Sequence, residues 1–148
     1  MIPRPPRKAS RSRNVGGVGA SAWAGLALLL AVPVYALSRL LGWVDWRVLA
    51  GVPLVVSVFT FLAYRSDKRR AEAGQWRIPE QTLHIAELLG GWPGAFLAQR
   101  IFRHKTAKTS FQVVFWAIVL AHQFTAIESV TGWRMSKAVV RLIQGRVV

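Results

Sequence analysis

The chain has 148 residues, 53% of them hydrophobic, with a mean hydropathy of +0.32. Twenty Lys and Arg stand against six Asp and Glu, giving a formal net charge of +14, and there is no cysteine. A single-domain length with this little polar surface excludes an ordinary soluble globule and makes lipid the expected solvent, while the lack of cysteine excludes disulfides, thiol catalysis and cysteine metal sites.

Residues 1–21 carry prolines, glycines and the basic cluster Arg4 to Arg13 without an apolar period, which predicts a flexible basic tail. The apolar run that follows is longer than a signal-peptide core and lacks a small-x-small cleavage site. Ala22 to Leu41 is therefore expected to be the first spanning helix, since about 20 residues at about 1.5 Å each match a hydrocarbon layer of about 30 Å. Pro33 is expected to bend it and Arg39 to snorkel, with Trp43 and Trp46 as interfacial anchors on a short turn. The second span is Val48 to Tyr64, so that residues 22–64 form a two-helix hairpin. Its β-branched content would suit a strand in water, but in lipid a helix satisfies every backbone group.

The polar stretch from Arg65 to Glu80 follows, with Gly74 and the Ile78-Pro79 step predicting a turn and a fresh helix start at Pro79 or Glu80. Gln81 to Phe102 is mostly apolar but interrupted by Gly90, Gly91, Pro93 and Gly94. Two short helices joined at a bend are expected there, as a re-entrant or interfacial hairpin, with a fourth span as the alternative. Thr109 is a candidate N-cap with Gln112 three residues on, opening a last span over 111–128. His122 and Gln123 within it must face protein or the interface, and a second copy of the chain is one way to bury them. In the C-terminal segment, 129–148, Arg134, Lys137 and Arg141 oppose Met135, Ala138, Val139, Leu142 and Ile143, the pattern of an interfacial helix. The expected class is an all-α integral membrane protein: three spanning helices, a Gly/Pro-broken re-entrant or fourth spanning hairpin, and a C-terminal interfacial helix.

The excess of Lys and Arg places the N-terminal tail and the Arg65 to Arg77 cluster in the cytoplasm. A re-entrant hairpin keeps Arg100 to Lys108 on that side and sends Arg134 to Arg146 across; a crossing hairpin reverses both. Charge counting balances, and the Gly-Gly-x-Pro-Gly break favours re-entry.

Over Tyr64 to Trp116 the chain carries, in order, the Asp67-Lys68 pair, the Trp76 to Glu80 run, Leu83-His84, the Gly90-Gly91 and Pro93-Gly94 steps, and the Arg103 to Thr106 run. This stretch, 64–116, resembles the short membrane domain of bacterial proteins grouped as domain-of-unknown-function family 1294. The resemblance implies a bacterial cytoplasmic (inner) membrane location with several passes, and it supplies no reaction. In some members such a domain follows a cold-shock-like nucleic-acid-binding domain; the N-terminal residues here lack the aromatic strands such a domain needs, so the implied link to nucleic acid is weak.

Two basic clusters are candidate anion sites. In the first, Asp67, Lys68, Arg69, Arg70, Arg77 and Glu80 would form a cytoplasmic phosphate receptor in which Asp67 orients a basic side chain. The bland alternative is a positive-inside stop whose surface ion pair is worth about 0–1 kcal/mol. In the second, Arg103, His104, Lys105, Thr106 and Lys108 precede a helix start, where donors and the helix dipole favour an anion; here the alternative is a loop touching headgroups. A re-entrant hairpin would join the clusters into one pocket roofed by Trp76. Glu80, His84 and Glu87 recur at i, i+4 and i+7, a polar seam on one helical face, with proton handling as the sharper reading and metal binding a weak one. Gly90, Gly91, Pro93 and Gly94 lack the phosphate-loop pattern and are read as bend and packing positions. No metal, cofactor or catalytic constellation is expected. The leading expectation is a non-enzymatic module binding anionic lipid or a partner, followed by a membrane enzyme or carrier for a phosphorylated amphiphile using His84, Asp67, Arg77 and Arg103, and then by a nucleic-acid tether.

Overall fold

The apolar runs fold as helices. A computed structural model describes residues 19–145, so the expected basic tail up to residue 18, and Arg146, lie outside the described residues. In chain order the elements are α1 (Ala20–Ser38), α2 (Trp46–Glu72), α3 (Glu80–Ala86), a wide π-type turn (Glu87–Gly91), α4 (Trp92–Phe102), α5 (Thr109–Thr131) and α6 (Arg134–Ile143). Among the described residues no strand occurs. Three helices, α1, α2 and α5, are long and apolar enough to cross a membrane, at 19, 27 and 23 residues.

Helix α2 opens on Asp45, whose carboxylate accepts from the Arg47 backbone N–H at 2.7 Å, an N-cap that satisfies one orphan donor. It runs beyond the expected apolar end at Tyr64 to Glu72. The sequence after Tyr64 holds alanine and long straight-chain residues with good helix propensity and no glycine before Gly74. Asp67 to Arg70 therefore stand on a helix rather than in a loop.

The segment after it folds back on itself. Gly90 (φ 103°) leaves helical conformation inside the wide turn, a value that favours glycine, and the chain returns as α4. The pair packs closely at its inner end because Gly91 and Gly94 present no side chain to α2. A Cβ on Gly94 would strike the Ser57 carbonyl oxygen, and one on Gly91 would strike the Thr60 hydroxyl. At the other end of the contact, Lys68 Nζ donates to the Phe102 carbonyl at 2.7 Å. From Ser57 to Lys68 is about 16 Å along α2 at about 1.5 Å per residue, and that is the reach of the hairpin.

The hairpin is a wedge. Helix α2 packs on α3, the turn and α4, whereas α1 packs on α5 and α4, so the core forms around the wedge from Leu83, Phe96, Phe111 and Phe115, with Tyr64 from α2. Its beginning and end meet: Glu80 accepts from Lys105 at 3.0 Å and from Lys108 at 2.7 Å.

Helix α5 starts one residue off the expected cap. Lys108 occupies the cap position, and Thr109 is the first helical residue. Gln112 does not complete a capping box because its amide is drawn inward, donating to Gln99 Oε1 at 2.7 Å and to the Lys105 carbonyl at 3.0 Å. His122 bonds to the Ile118 carbonyl and Gln123 to the Leu29 carbonyl, which satisfies both within one copy of the chain. Gly132 (φ 72°) closes α5. The buried Glu128 accepts from the Met135 and Ser136 backbone N–H groups at 3.1 and 2.8 Å, a carboxylate placed at the positive end of α6. Helix α6 buries no residue of its own.

Candidate functional site

The polar residues of the hairpin gather in two clusters. The outer one closes its base. Asp67 on α2 is fully buried; its Oδ2 lies 2.9 Å from His104 Nε2 and 3.5 Å from Lys105 Nζ, and its Oδ1 accepts from the Ile78 backbone N–H at 2.9 Å. One carboxylate thus ties the end of α2 to the segments before α3 and after α4. The loop contorts to allow this: Arg103 (φ 47°) and Lys105 (φ 61°) are left-handed, which costs a non-glycine residue about 1–2 kcal/mol. Charge-assisted bonds to a buried carboxylate offset a cost of that size. Lys105 bridges on to Glu80, and Lys108 and Lys105 together hold the Glu80 carboxyl below the usual range by donating to it.

The inner cluster is deeper and mostly neutral. Tyr64 Oη bonds to Glu87 Oε1, and His84 Nδ1 lies 2.8 Å from Glu87 Oε2. Gln99 Nε2 donates to Tyr64 Oη at 3.2 Å. Tyr64 and Glu87 are fully buried and Gln99 nearly so. The His84 ring rests on Phe111, centroids 4.2 Å apart, and Lys105 Nζ lies 4.9 Å from the same ring centre on the outer side. Gln112 links the clusters, since it bonds both to Gln99 and to the Lys105 carbonyl.

The fold brings the two predicted basic clusters to one end of α2, but four of their basic side chains are engaged within the fold. His104 and Lys105 serve Asp67, Lys108 serves Glu80, and Lys68 serves the Phe102 carbonyl and Glu72. Arg65, Arg69, Arg70, Arg77 and Arg103 are exposed and have no carboxylate partner among the described residues, and Thr106 is exposed beside them. Of these, Arg77 lines an open surface concavity together with Gln75, Trp76, Pro79, Glu80 and Lys105. Trp76 is 87% exposed, so it stands at the rim rather than as a roof.

The expected seam of Glu80, His84 and Glu87 divides. Glu80 belongs to the outer clasp, His84 and Glu87 to the inner cluster, because the lysines after α4 pull Glu80 outward while Tyr64 anchors Glu87 inside. Asp67 and His84 consequently lie in separate clusters, and Arg77 and Arg103 make no side-chain hydrogen bond among the described residues, so the four do not converge. Tyr64, Gln99 and Gln112 were not expected at the site. Their signal was a polar side chain inside or bordering an apolar run, which needs a partner wherever lipid surrounds it.

An all-helical protein with three helices long and apolar enough to cross a membrane, and a folded-back helical pair holding a titratable centre, is the class that this fold and site define. The chain belongs to the family described as "Protein of unknown function (DUF1294)", whose family model matches residues 57–111. The match runs from the middle of α2, where Gly94 docks, to the start of α5, and so contains both clusters except Gln112. The chain is also similar to the "Uncharacterized protein YsdA" of Bacillus subtilis (strain 168), 32% identical over 65 residues, covering 44% of this chain and 73% of that protein. No solved structure matches the chain.

Proposed function

We propose that the protein is a non-catalytic inner-membrane module that binds the phosphates of anionic lipid headgroups through the arginine rim at the Asp67 end. The observation that carries this reading is the sorting of the cations: Lys68, His104, Lys105 and Lys108 have partners within the fold, whereas Arg65, Arg69, Arg70, Arg77 and Arg103 remain exposed, with Arg77 lining an open concavity. Arginine presents a planar fork of donors suited to phosphate oxygens, and Trp76 beside it suits the headgroup layer. The hairpin reach of about 16 Å is about half of a hydrocarbon layer of about 30 Å, which supports re-entry from the same face. The positive-inside rule makes that face, and the N-terminus, cytoplasmic.

The test uses the purified full chain in a zwitterionic detergent, titrated with short-chain phosphatidylglycerol or phosphatidylcholine and followed by thermal unfolding. Phosphatidylglycerol should raise the Tm, phosphatidylcholine should not, and Arg77→Ala with Arg103→Ala should remove most of the shift while Arg11→Ala in the N-terminal tail leaves it. Equal losses in the rim and tail variants would reduce the rim to general electrostatic attraction. Tighter, steeply salt-dependent binding of single-stranded nucleic acid would favour a tether instead.

A further inference from the structure

We infer that His84, Glu87 and Tyr64 form a proton-binding site inside the hairpin, in which His84 is the port through which Glu87 takes up and releases a proton. This inference does not depend on lipid binding at the rim. It begins from the direction of the hydrogen bonds. The Lys105 carbonyl can only accept, so the Gln112 group facing it is the amide nitrogen, and that nitrogen also donates to Gln99 Oε1. Gln99 must then present its own nitrogen to Tyr64 Oη. The phenol oxygen receives that bond, so its proton points to Glu87 Oε1. Each amide in the chain has its orientation fixed by the one before it, and the series ends on the carboxylate.

Glu87 Oε2 faces a different kind of partner. His84 Nδ1, 2.8 Å away, donates when Glu87 is ionised and accepts when Glu87 is protonated. Both states keep every bond of the cluster; they differ by one proton gained from outside, and the hydrogen between His84 Nδ1 and Glu87 Oε2 changes the atom that carries it. Gln99 and Gln112 cannot exchange a proton at accessible pH, and Tyr64 is held as a donor.

His84 also connects the site to the outside. Among the described residues no buried side-chain nitrogen or oxygen lacks a partner, and the hydrogen bond of His84 is made by Nδ1, so Nε2 reaches the molecular surface. The side chain is 16% exposed, against 0% for Glu87. His84 lies one helical turn, about 6 Å of rise, from Glu80, which pairs with the exposed Lys108 at the hairpin base, within reach of headgroup water. A proton from water adds to Nε2, the Nδ1 proton passes to Glu87 Oε2, and the products are a neutral Nε2–H imidazole and a neutral carboxylic acid; release is the reverse. The charged and titratable groups around the site are Tyr64 and Asp67 from α2, His84 and Glu87 themselves, and Lys105, whose Nζ lies 4.9 Å from the Phe111 ring centre; α4 and α5 face it with Gln99 and Gln112.

The experiment is a pH jump on the full chain in lipid nanodiscs, with infrared detection of the carboxylic acid carbonyl band and glutamate labelled with carbon-13. A labelled, protonated glutamate should appear as pH falls and vanish in Glu87→Gln. Tyr64→Phe should shift its frequency, because the phenol bond to Oε1 is lost. His84→Gln retains a side-chain donor to Glu87 but cannot relay a proton, so the final amplitude should persist while uptake slows by about 100-fold, the lower end typical of a positioned acid–base group; added imidazole should restore part of the rate. Circular dichroism and gel filtration establish that each variant is folded, and the frequency shift in Tyr64→Phe assigns the labelled band to Glu87 even if Glu87→Gln does not fold. If no labelled glutamate band that appears as pH falls responds to Glu87→Gln or to Tyr64→Phe, or if His84→Gln takes up protons as fast as the unaltered chain, the inference is overturned.

Discussion

The outer clasp around Asp67 and the inner cluster around Glu87 are built on the same short hairpin, and they solve the burial of a carboxylate in opposite ways. Asp67 is surrounded by two side chains that can carry positive charge and by a backbone N–H, and it joins three segments of chain. Glu87 is surrounded by a phenol, an imidazole and, through the phenol, two amides; no lysine or arginine touches it. A carboxylate compensated by cations is a fixed structural tie, because removing either charge strands the other. A carboxylate compensated by neutral donors and one imidazole can change its protonation without losing a bond. The clasp should therefore respond to mutation chiefly in stability, and the inner cluster chiefly in proton exchange.

The sharpest way to break this comparison is Asp67→Ala. It would leave Lys105, only 7% exposed at its side chain, with Glu80 alone, and it would orphan the Ile78 N–H. Loss of one partner of a buried pair costs about 3–5 kcal/mol, and the surviving Glu80 contact puts the expected loss near 3 kcal/mol by chemical denaturation in mixed micelles. Asp67→Asn, which keeps an acceptor for Ile78, should lose clearly less. An Asp67→Ala protein as stable as the unaltered chain would show that the clasp does not hold the hairpin.

Gly94→Leu comes next. The hairpin would have to move away from Ser57, and overpacking of this kind typically costs about 1–3 kcal/mol; Gly90→Ala, where a Cβ meets nothing but the backbone is left-handed, should cost less, about 1–2 kcal/mol. Tyr64→Phe removes one buried donor to Glu87 and strands the Gln99 amide, an effect of about 1–3 kcal/mol that should be visible in the same denaturation assay. If Tyr64→Phe destabilised more than Asp67→Ala, the ranking of clasp over inner cluster would be reversed.

The smallest effect concerns pH. Lys108 and Lys105 hold Glu80 below its ordinary range, so the folded state binds its proton less readily than the unfolded chain does. Its contribution is fully present above the ordinary carboxylate range and is lost as pH falls through the lowered folded value. Because Glu80 is partly exposed, the contribution is about 0–1 kcal/mol. Unfolding measured from neutral pH down through the carboxylate range should show Glu80→Gln slightly less stable at neutral pH and the difference vanishing in acid.

Much of this was legible before any coordinates. Length and hydropathy identified the three long helices, and the spacing of Gly90, Gly91, Pro93 and Gly94 identified a broken pair, because glycine and proline act locally on the backbone. Long-range partners were not legible. Nothing in the spacing of Glu80, His84 and Glu87 announces that Glu80 leaves the seam, since the lysines that draw it away lie 25 and 28 residues on. The continuation of α2 to Glu72 was obscured by treating charge as a helix end, although only the apolar stretch ends there. Gln112 read as a capping residue because its position fits a cap; its use on Gln99 depends on a tertiary contact. The basic clusters were found by composition, but which cations stay free depended on where the fold placed Asp67 and Glu80.

The central claim is that the chain enters and leaves the hairpin at one end, bringing the Asp67 segment and the loop after α4 to one face. The absence of native cysteine permits single cysteines at Ala73, Ala107 and Lys137, all exposed positions, to be probed in intact cells with a membrane-impermeant thiol reagent. The account predicts that positions 73 and 107 are both protected while 137 is labelled. Labelling at 107 with protection at 73 and 137 would mean that the segment crosses the membrane, and would contradict it.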